Sequence, residues 1–212
     1  MNKEKKIWDM LMKEVGNSYG VAGLMGNLMA ESSLNPVCKT GGKGDIRKLS
    51  GSEYAKQVMS GKIAPYDFAH DGVAFGLVQW CYYSRKEGLF KFIREKKLDI
   101  SSYEAQVKYI LVEIKKYKTV WRTLQEAKSI EEASDIVMLR YEKPANTSDN
   151  AKAKRALYAR QYYSKYAENQ HLTIPKMVDI LEDIEANEQL QTERHDMLLL
   201  VITELSDMAK GE

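Results

Sequence analysis

Apolar residues recur at three- and four-residue spacing along most of the chain. Ile7, Leu11 and Val15 share one face of a first helix, which Gly16-Asn17 stops. Residues 20–33 follow as a second helix, with Val21, Leu24, Met25 and Leu28 as its buried stripe. Gly23 and Gly26 each cost this helix about 1 kcal/mol of propensity relative to alanine. Such a cost makes sense where a neighbouring element or a ligand comes close. The helix must stop before Pro36, because the residue preceding a proline is pushed out of the α region. Further helices are predicted at 83–97, 103–116, 119–127, 130–141 and 149–167. The stretch 35–76 reads as mostly loop, with glycines clustered at 41–44 and 72–76. One short helix is expected inside it, over 53–60, capped by Ser52 and ended by Gly61. No alternating run is long enough to specify a strand, although 63–76 has room for a short hairpin. The expected fold class is mainly α, with a loop-rich segment.

The pattern changes after His171. Residues 1–169 are expected to form the main domain, and residues 170–212 a helical appendage. Met177, Ile180, Ile184, Leu198, Val201, Leu205 and Met208 fit one heptad register, whose middle is polar at Asn187, Gln191 and Arg194. One reading is a coiled-coil helix that assembles a homo-oligomer. A second is a helical hairpin turning near Asn187. A third is helices packed on the main domain. Docking on a larger assembly and wall binding are further uses of the same segment.

Composition narrows the function. Of 212 residues, 44% are hydrophobic and 29% charged, as in an ordinary globular protein. The 32 basic and 30 acidic residues nearly cancel, which argues against a nucleic-acid partner. No apolar run approaches the roughly 18 residues of a membrane span, so no membrane insertion is expected. The charged start Met1-Asn2-Lys3-Glu4-Lys5-Lys6 leads into no sustained apolar stretch, so a secretory signal peptide is not expected. Synthesis in the cytoplasm would then leave Cys38 and Cys81 as reduced thiols. His70, His171 and His195 are far apart and show no metal-ligand spacing, and no cofactor is implied.

Two segments carry the chemistry. The first runs from Gly26 to Pro36 and places Glu31 at the C-terminal end of the buried second helix. That end is the negative pole of the helix dipole, and the surroundings are apolar and small. Both disfavour an ionised carboxylate. A carboxylic acid that keeps its proton near neutral pH is what glycosidic cleavage needs, because the leaving oxygen must be protonated. The second segment runs from His70 to Cys81. Gln79 offers donor and acceptor together for sugar hydroxyls and N-acetyl groups. Phe75, Trp80, Tyr82 and Tyr83 can either stack on sugar faces or fill the core. For a second carboxylate, Asp71 is the first choice, in its glycine-flanked loop; Asp67, Asp45 and Glu142 are alternatives. An inverting hydrolase would need that group roughly 6.5–9.5 Å from the acid, to hold a water.

These blocks together resemble the phage tail-type lysozyme family. Its pattern of a small-residue helix ending in G-N-x-x-A-E-S is matched by Gly26-Asn27-Leu28-Met29-Ala30-Glu31-Ser32, with Asn35-Pro36 after it. Its G-L-x-Q-W block is matched by Gly76-Leu77-Val78-Gln79-Trp80, followed by a basic helix from Ser84-Arg85-Lys86. A late aromatic-E-x-P block is matched by Tyr141-Glu142-Lys143-Pro144. The resemblance runs from about residue 5 to 167. It implies a lysozyme-like domain acting on peptidoglycan glycan strands, as a muramidase-type hydrolase or a lytic transglycosylase. A cell-wall-binding module without activity is the competing class. Goose-type lysozymes and lytic transglycosylases share the E-S and G-L-x-Q blocks. By that likeness Glu31 is the acid and Gln79 a groove residue; Ser32, Trp80, Tyr83 and Tyr141 are the further substrate-binding residues expected with it. Glu142 is expected to pair with Arg85 or Arg155. Cys81 departs from the threonine often found after G-L-x-Q-W, which removes any hydroxyl role there. The resemblance also implies action at the bacterial wall, after holin-type release or as a virion component.

Overall fold

The computed structural model describes residues 2–167; the expectations for 170–212 lie outside the described residues. Ten α-helices and two short strands are described: α1 (Lys3–Val15), α2 (Ser18–Ser32), β1 (Lys39–Gly41), α3 (Gly44–Lys48), α4 (Gly51–Ser60), α5 (Pro65–His70), β2 (Val73–Phe75), α6 (Tyr83–Lys96), α7 (Tyr103–Ile114), α8 (Lys118–Glu126), α9 (Ile130–Val137) and α10 (Asp149–Tyr166). The mainly α expectation holds.

Helix α2 is the central element. Ten of its residues are buried, glycines included, and α1, α8, α9 and α10 pack around it. The two interior glycines explain how. A Cβ on Gly23 would fall 2.7 Å from the α9 backbone at Ser134, and one on Gly26 would collide with the Arg155 carbonyl of α10. The helix gives up propensity at these positions and gains close backbone contact in return. Asn27, fully buried, donates to the Ser134 carbonyl at 3.0 Å and to that of Gly23 at 2.8 Å, which ties α2 to α9.

Serine caps set four of the ten helix starts. Ser102, Ser129 and Ser148 accept from backbone N–H groups three residues on, at the expected starts of α7, α9 and α10. In α4 the cap is Ser50 rather than Ser52. Two short helices, α3 and α5, occupy what reads from sequence as loop. The strand expectation also needs correction. No hairpin forms within 63–76; β2 pairs antiparallel with β1, with Lys39 opposite Phe75 and Gly41 opposite Val73. The 130–141 helix ends early as an α-helix and continues as a π-helical turn over Met138–Glu142, closed by Lys143 in the left-handed region before Pro144. No helix is long and apolar enough to cross a membrane among the described residues.

Candidate active site

Glu31 lies in the last turn of α2, its side chain 19% exposed. The helix ends directly after it, where Ser33 and Leu34 take positive φ and redirect the chain. Ser32 is the hinge of this arrangement. Its hydroxyl is buried, and its one proton lies between the Leu77 carbonyl at 2.9 Å and that of Leu28 at 3.0 Å. The end of α2 is thereby fastened to the Gly76–Gln79 turn, and the two informative sequence blocks become one site.

That turn is built tightly. Phe75 and Trp80 exchange backbone hydrogen bonds of 3.1 and 2.9 Å around it, and Gly76 and Gln79 take positive φ. The Gln79 amide donates to the carbonyls of Gly76 (2.9 Å) and Cys38 (3.2 Å), and its oxygen accepts from Thr40 at 3.0 Å. Buried Gln106 clamps the turn from behind. Its oxygen accepts from the Leu77 N–H, and its amide donates to the carbonyls of Pro36 and Ile100. The Cys38 thiol is pushed up by partial burial and then by the Glu31 charge. Cys38 and Cys81 are both free thiols.

On the other side of Glu31 stands Arg155 of α10. Its Nη2 lies 2.5 Å from Glu31 Oε1, and its Nε lies 3.7 Å from Glu142 Oε2. Glu142, at the end of the π turn, is almost wholly buried. Burial, and then the Glu31 charge, push its carboxyl up to about 8, against the opposing charges of Arg155 and Arg85. Sequence reasoning names Arg155 only as a partner for Glu142. That it binds Glu31, 124 positions away, carries no local signal.

The structure withdraws several expected contacts. Asp71 does not join Glu31. Its side chain is 2% exposed and bonds to the Lys86 ammonium at 2.6 Å, to the Tyr54 hydroxyl and to the Val73 N–H. With both oxygens committed and no open face, it cannot hold a water against a sugar. Ser32 is also a structural tie, as described. Trp80 and Tyr141 are buried and converge on Glu113 of α7. Trp80 Nε1 donates at 3.0 Å and the Tyr141 hydroxyl at 2.6 Å, while Arg85 completes the group with two bonds of 2.8 Å. Phe75 is fully buried as well. Arg85 is therefore occupied by Glu113, and of the two bases expected near Glu142 only Arg155 lies within ion-pair distance. Of the aromatic groove residues expected, Tyr83 remains exposed, stacked with His70 and beside Tyr82. Asp45 and Asp67 are exposed, on α3 and α5. Among the described residues no cluster of His, Cys, Asp and Glu fits a metal ion.

The surviving site is a partly exposed carboxyl at a helix end, a guanidinium on it, a buried carboxyl behind it and a glycine-turn wall beside it. A carboxyl so placed, partly open to solvent, has the chemistry to protonate a leaving oxygen. A family model described as phage tail lysozyme matches residues 2–166. Neither a curated protein nor a solved structure matches the chain.

Proposed function

Because the chain belongs to the phage tail lysozyme family, lysozyme-like hydrolases of the cell wall, we propose that it cleaves the β-1,4 glycosidic bond of peptidoglycan with Glu31 as general acid. The observation that supports this most is the Ser32–Leu77 hydrogen bond, which fastens the residue next to Glu31 to the Gly76–Gln79 turn. A glycan strand lying along that turn would meet the one carboxyl of the cluster with an open face. Gln79 keeps an acceptor lone pair free after bonding Thr40, and Tyr83 offers an exposed ring for a sugar face.

As Glu31 gives its proton to the glycosidic oxygen, the C–O bond breaks and positive charge develops at the anomeric carbon. Arg155 then holds the Glu31 carboxylate in place. The carboxylate accepts the proton of whichever hydroxyl adds to that carbon. In a hydrolase this is water; in a lytic transglycosylase it is the sugar's own hydroxyl, which closes an anhydro ring.

The second reading, lytic transglycosylation, is favoured by one observation. Asp71 and Glu142, two of the four candidate second carboxylates, are both buried, while the exposed Asp45 and Asp67 lie on α3 and α5. Neither Asp71 nor Glu142 is open to the water that an inverting hydrolase must position. Wall turbidity measured with wild type and Glu31→Gln, with mass spectrometry of the released muropeptides, tests the whole proposal. Clearing by wild type alone supports Glu31 as the acid. Reducing ends in the products then mean hydrolysis, and anhydro-muramyl ends mean transglycosylation. Equal clearing by both proteins removes Glu31 from its role.

A further inference from the structure

A carboxylate bound by a guanidinium is held in its charged form, whereas a general acid needs a proton. Arg155 on Glu31 therefore poses a chemical problem that the surrounding residues have to solve. We propose that Glu142 is a positioning residue that shares one proton with Glu31, so that the two carboxyls carry a single negative charge opposite Arg155. This rests on the reading of Glu31 as the acid.

The geometry requires a proton somewhere in the group. Neither oxygen of Glu142 has a hydrogen-bond donor among the described residues, and Arg155 Nε also lacks a partner. An ionised Glu142 would be a buried charge with no donor. A protonated one is neutral, and Glu31, paired with the same Arg155 guanidinium, is the neighbouring carboxylate. The charges agree. Glu31 faces Glu142 from α2, Arg155 from α10 and Arg85 from α6, with Tyr141 adjoining on the π turn. Arg85 is already matched by Glu113, so Arg155 alone stands against two carboxyls. One proton balances that sum. Burial first, and then the Glu31 charge, displace the Glu142 carboxyl upward.

At rest the proton sits on Glu142 and Arg155 pairs with Glu31. Transfer of the proton to Glu31 leaves the charge on Glu142, where Arg155 Nε faces it. Glu31 then protonates the leaving oxygen, and the O–H electron pair remains on its carboxylate. The hydroxyl that adds to the anomeric carbon returns a proton to Glu31, so the group ends the cycle with the proton count it began with. Almost wholly buried, Glu142 touches no substrate and acts only through Glu31.

The test is the pH–rate profile of wall cleavage for wild type and Glu142→Gln. The amide keeps the shape of the side chain and cannot hold the shared proton, and it removes the like charge that keeps a proton near Glu31. The basic limb should move to lower pH by at least one unit. The variant would then lose about tenfold or more in rate near pH 7 while staying within about threefold near pH 5. A profile that drops evenly at all pH values, with an unmoved basic limb, overturns the proposal. A second measurement needs no variant and no activity: 13C NMR titration of the glutamate carboxyls of folded wild type. One carboxyl should still be protonated at neutral pH; complete ionisation of all glutamates by pH 6 overturns the proposal even where Glu142→Gln does not fold. If wild type cleaves no wall, the reading of Glu31 fails, and the titration alone decides the shared proton.

Discussion

The Arg155 carbonyl oxygen occupies the space that a side chain on Gly26 would fill. This contact lets the α10 backbone lie directly on α2, five positions before Glu31, and from there the Arg155 guanidinium reaches the Glu31 carboxylate. Packing and chemistry therefore share one cause. Gly26→Ala should force α10 outward, because the collision is with backbone, which cannot rotate away. A loss of about 1–3 kcal/mol is expected in denaturant unfolding, as for other overpacked cores. Activity per folded molecule should fall as well, since the Arg155–Glu31 distance opens. Unchanged stability and rate would show that α10 is not held by this contact.

Arg155→Lys tests the guanidinium itself. A lysine keeps the charge but presents one point donor, whereas arginine reaches Glu31 through Nη2 and faces Glu142 through Nε. The substitution should lower kcat by on the order of 10²-fold through misplacement of Glu31, with KM little changed. Circular dichroism should confirm that the fold is retained. Wild-type rates in the lysine variant would mean that charge alone suffices.

Asp71→Asn separates a structural from a catalytic carboxylate. Asp71 and Lys86 form a pair almost wholly removed from solvent, with Tyr54 and the Val73 N–H completing the shell. Removing one partner leaves the Lys86 ammonium buried against the rings of Tyr54 and Phe68 without a counter-charge. The cost should be about 3–5 kcal/mol of stability. Wall cleavage by the fraction still folded should stay near the wild-type rate. A stable but inactive variant would return Asp71 to the catalytic group.

The sequence shows the fold more fully than the site, for physical reasons. Helix starts at 103, 130 and 149 follow from serines whose hydroxyls cap free N–H groups, a signal carried within four residues. The β1–β2 pair joins residues more than thirty positions apart through three-residue strands, too short for any alternation to register. Glu31 is legible because its surroundings are written beside it in the chain. Arg155 is one of several basic residues on a late helix, and only the packing of α10 on α2 distinguishes it. Trp80 and Tyr141 are misread as groove residues for a related reason. Each has a polar handle, and the partner of both, Glu113, sits unmarked on an amphipathic helix. The structural role of Asp71 is hidden in the same way, because a lysine that is fully buried looks in sequence like any surface lysine.

Glu113 supplies the last prediction, one of pH-dependent stability. Burial alone would push its carboxyl up. The two bonds from Arg85, with those from Tyr141 and Trp80, outweigh burial and hold it below the usual carboxylate value. A group whose folded-state pKa is depressed stabilises the fold above its unfolded value, and that stability disappears as pH falls through the folded value. Wild type should therefore lose Tm steadily as the pH is lowered from about 5 toward the folded-state value. Glu113→Gln should be less stable at neutral pH by about 3–5 kcal/mol, because Arg85 is left buried without its counter-charge. Its Tm should also fall less steeply with acid than that of wild type, so the two curves converge at low pH. Thermal melts of both proteins between pH 3 and pH 7 measure this directly. Parallel curves would mean that Glu113 is ionised no more readily in the folded chain than in the unfolded one, and that the Arg85–Trp80–Tyr141 group stabilises by packing alone.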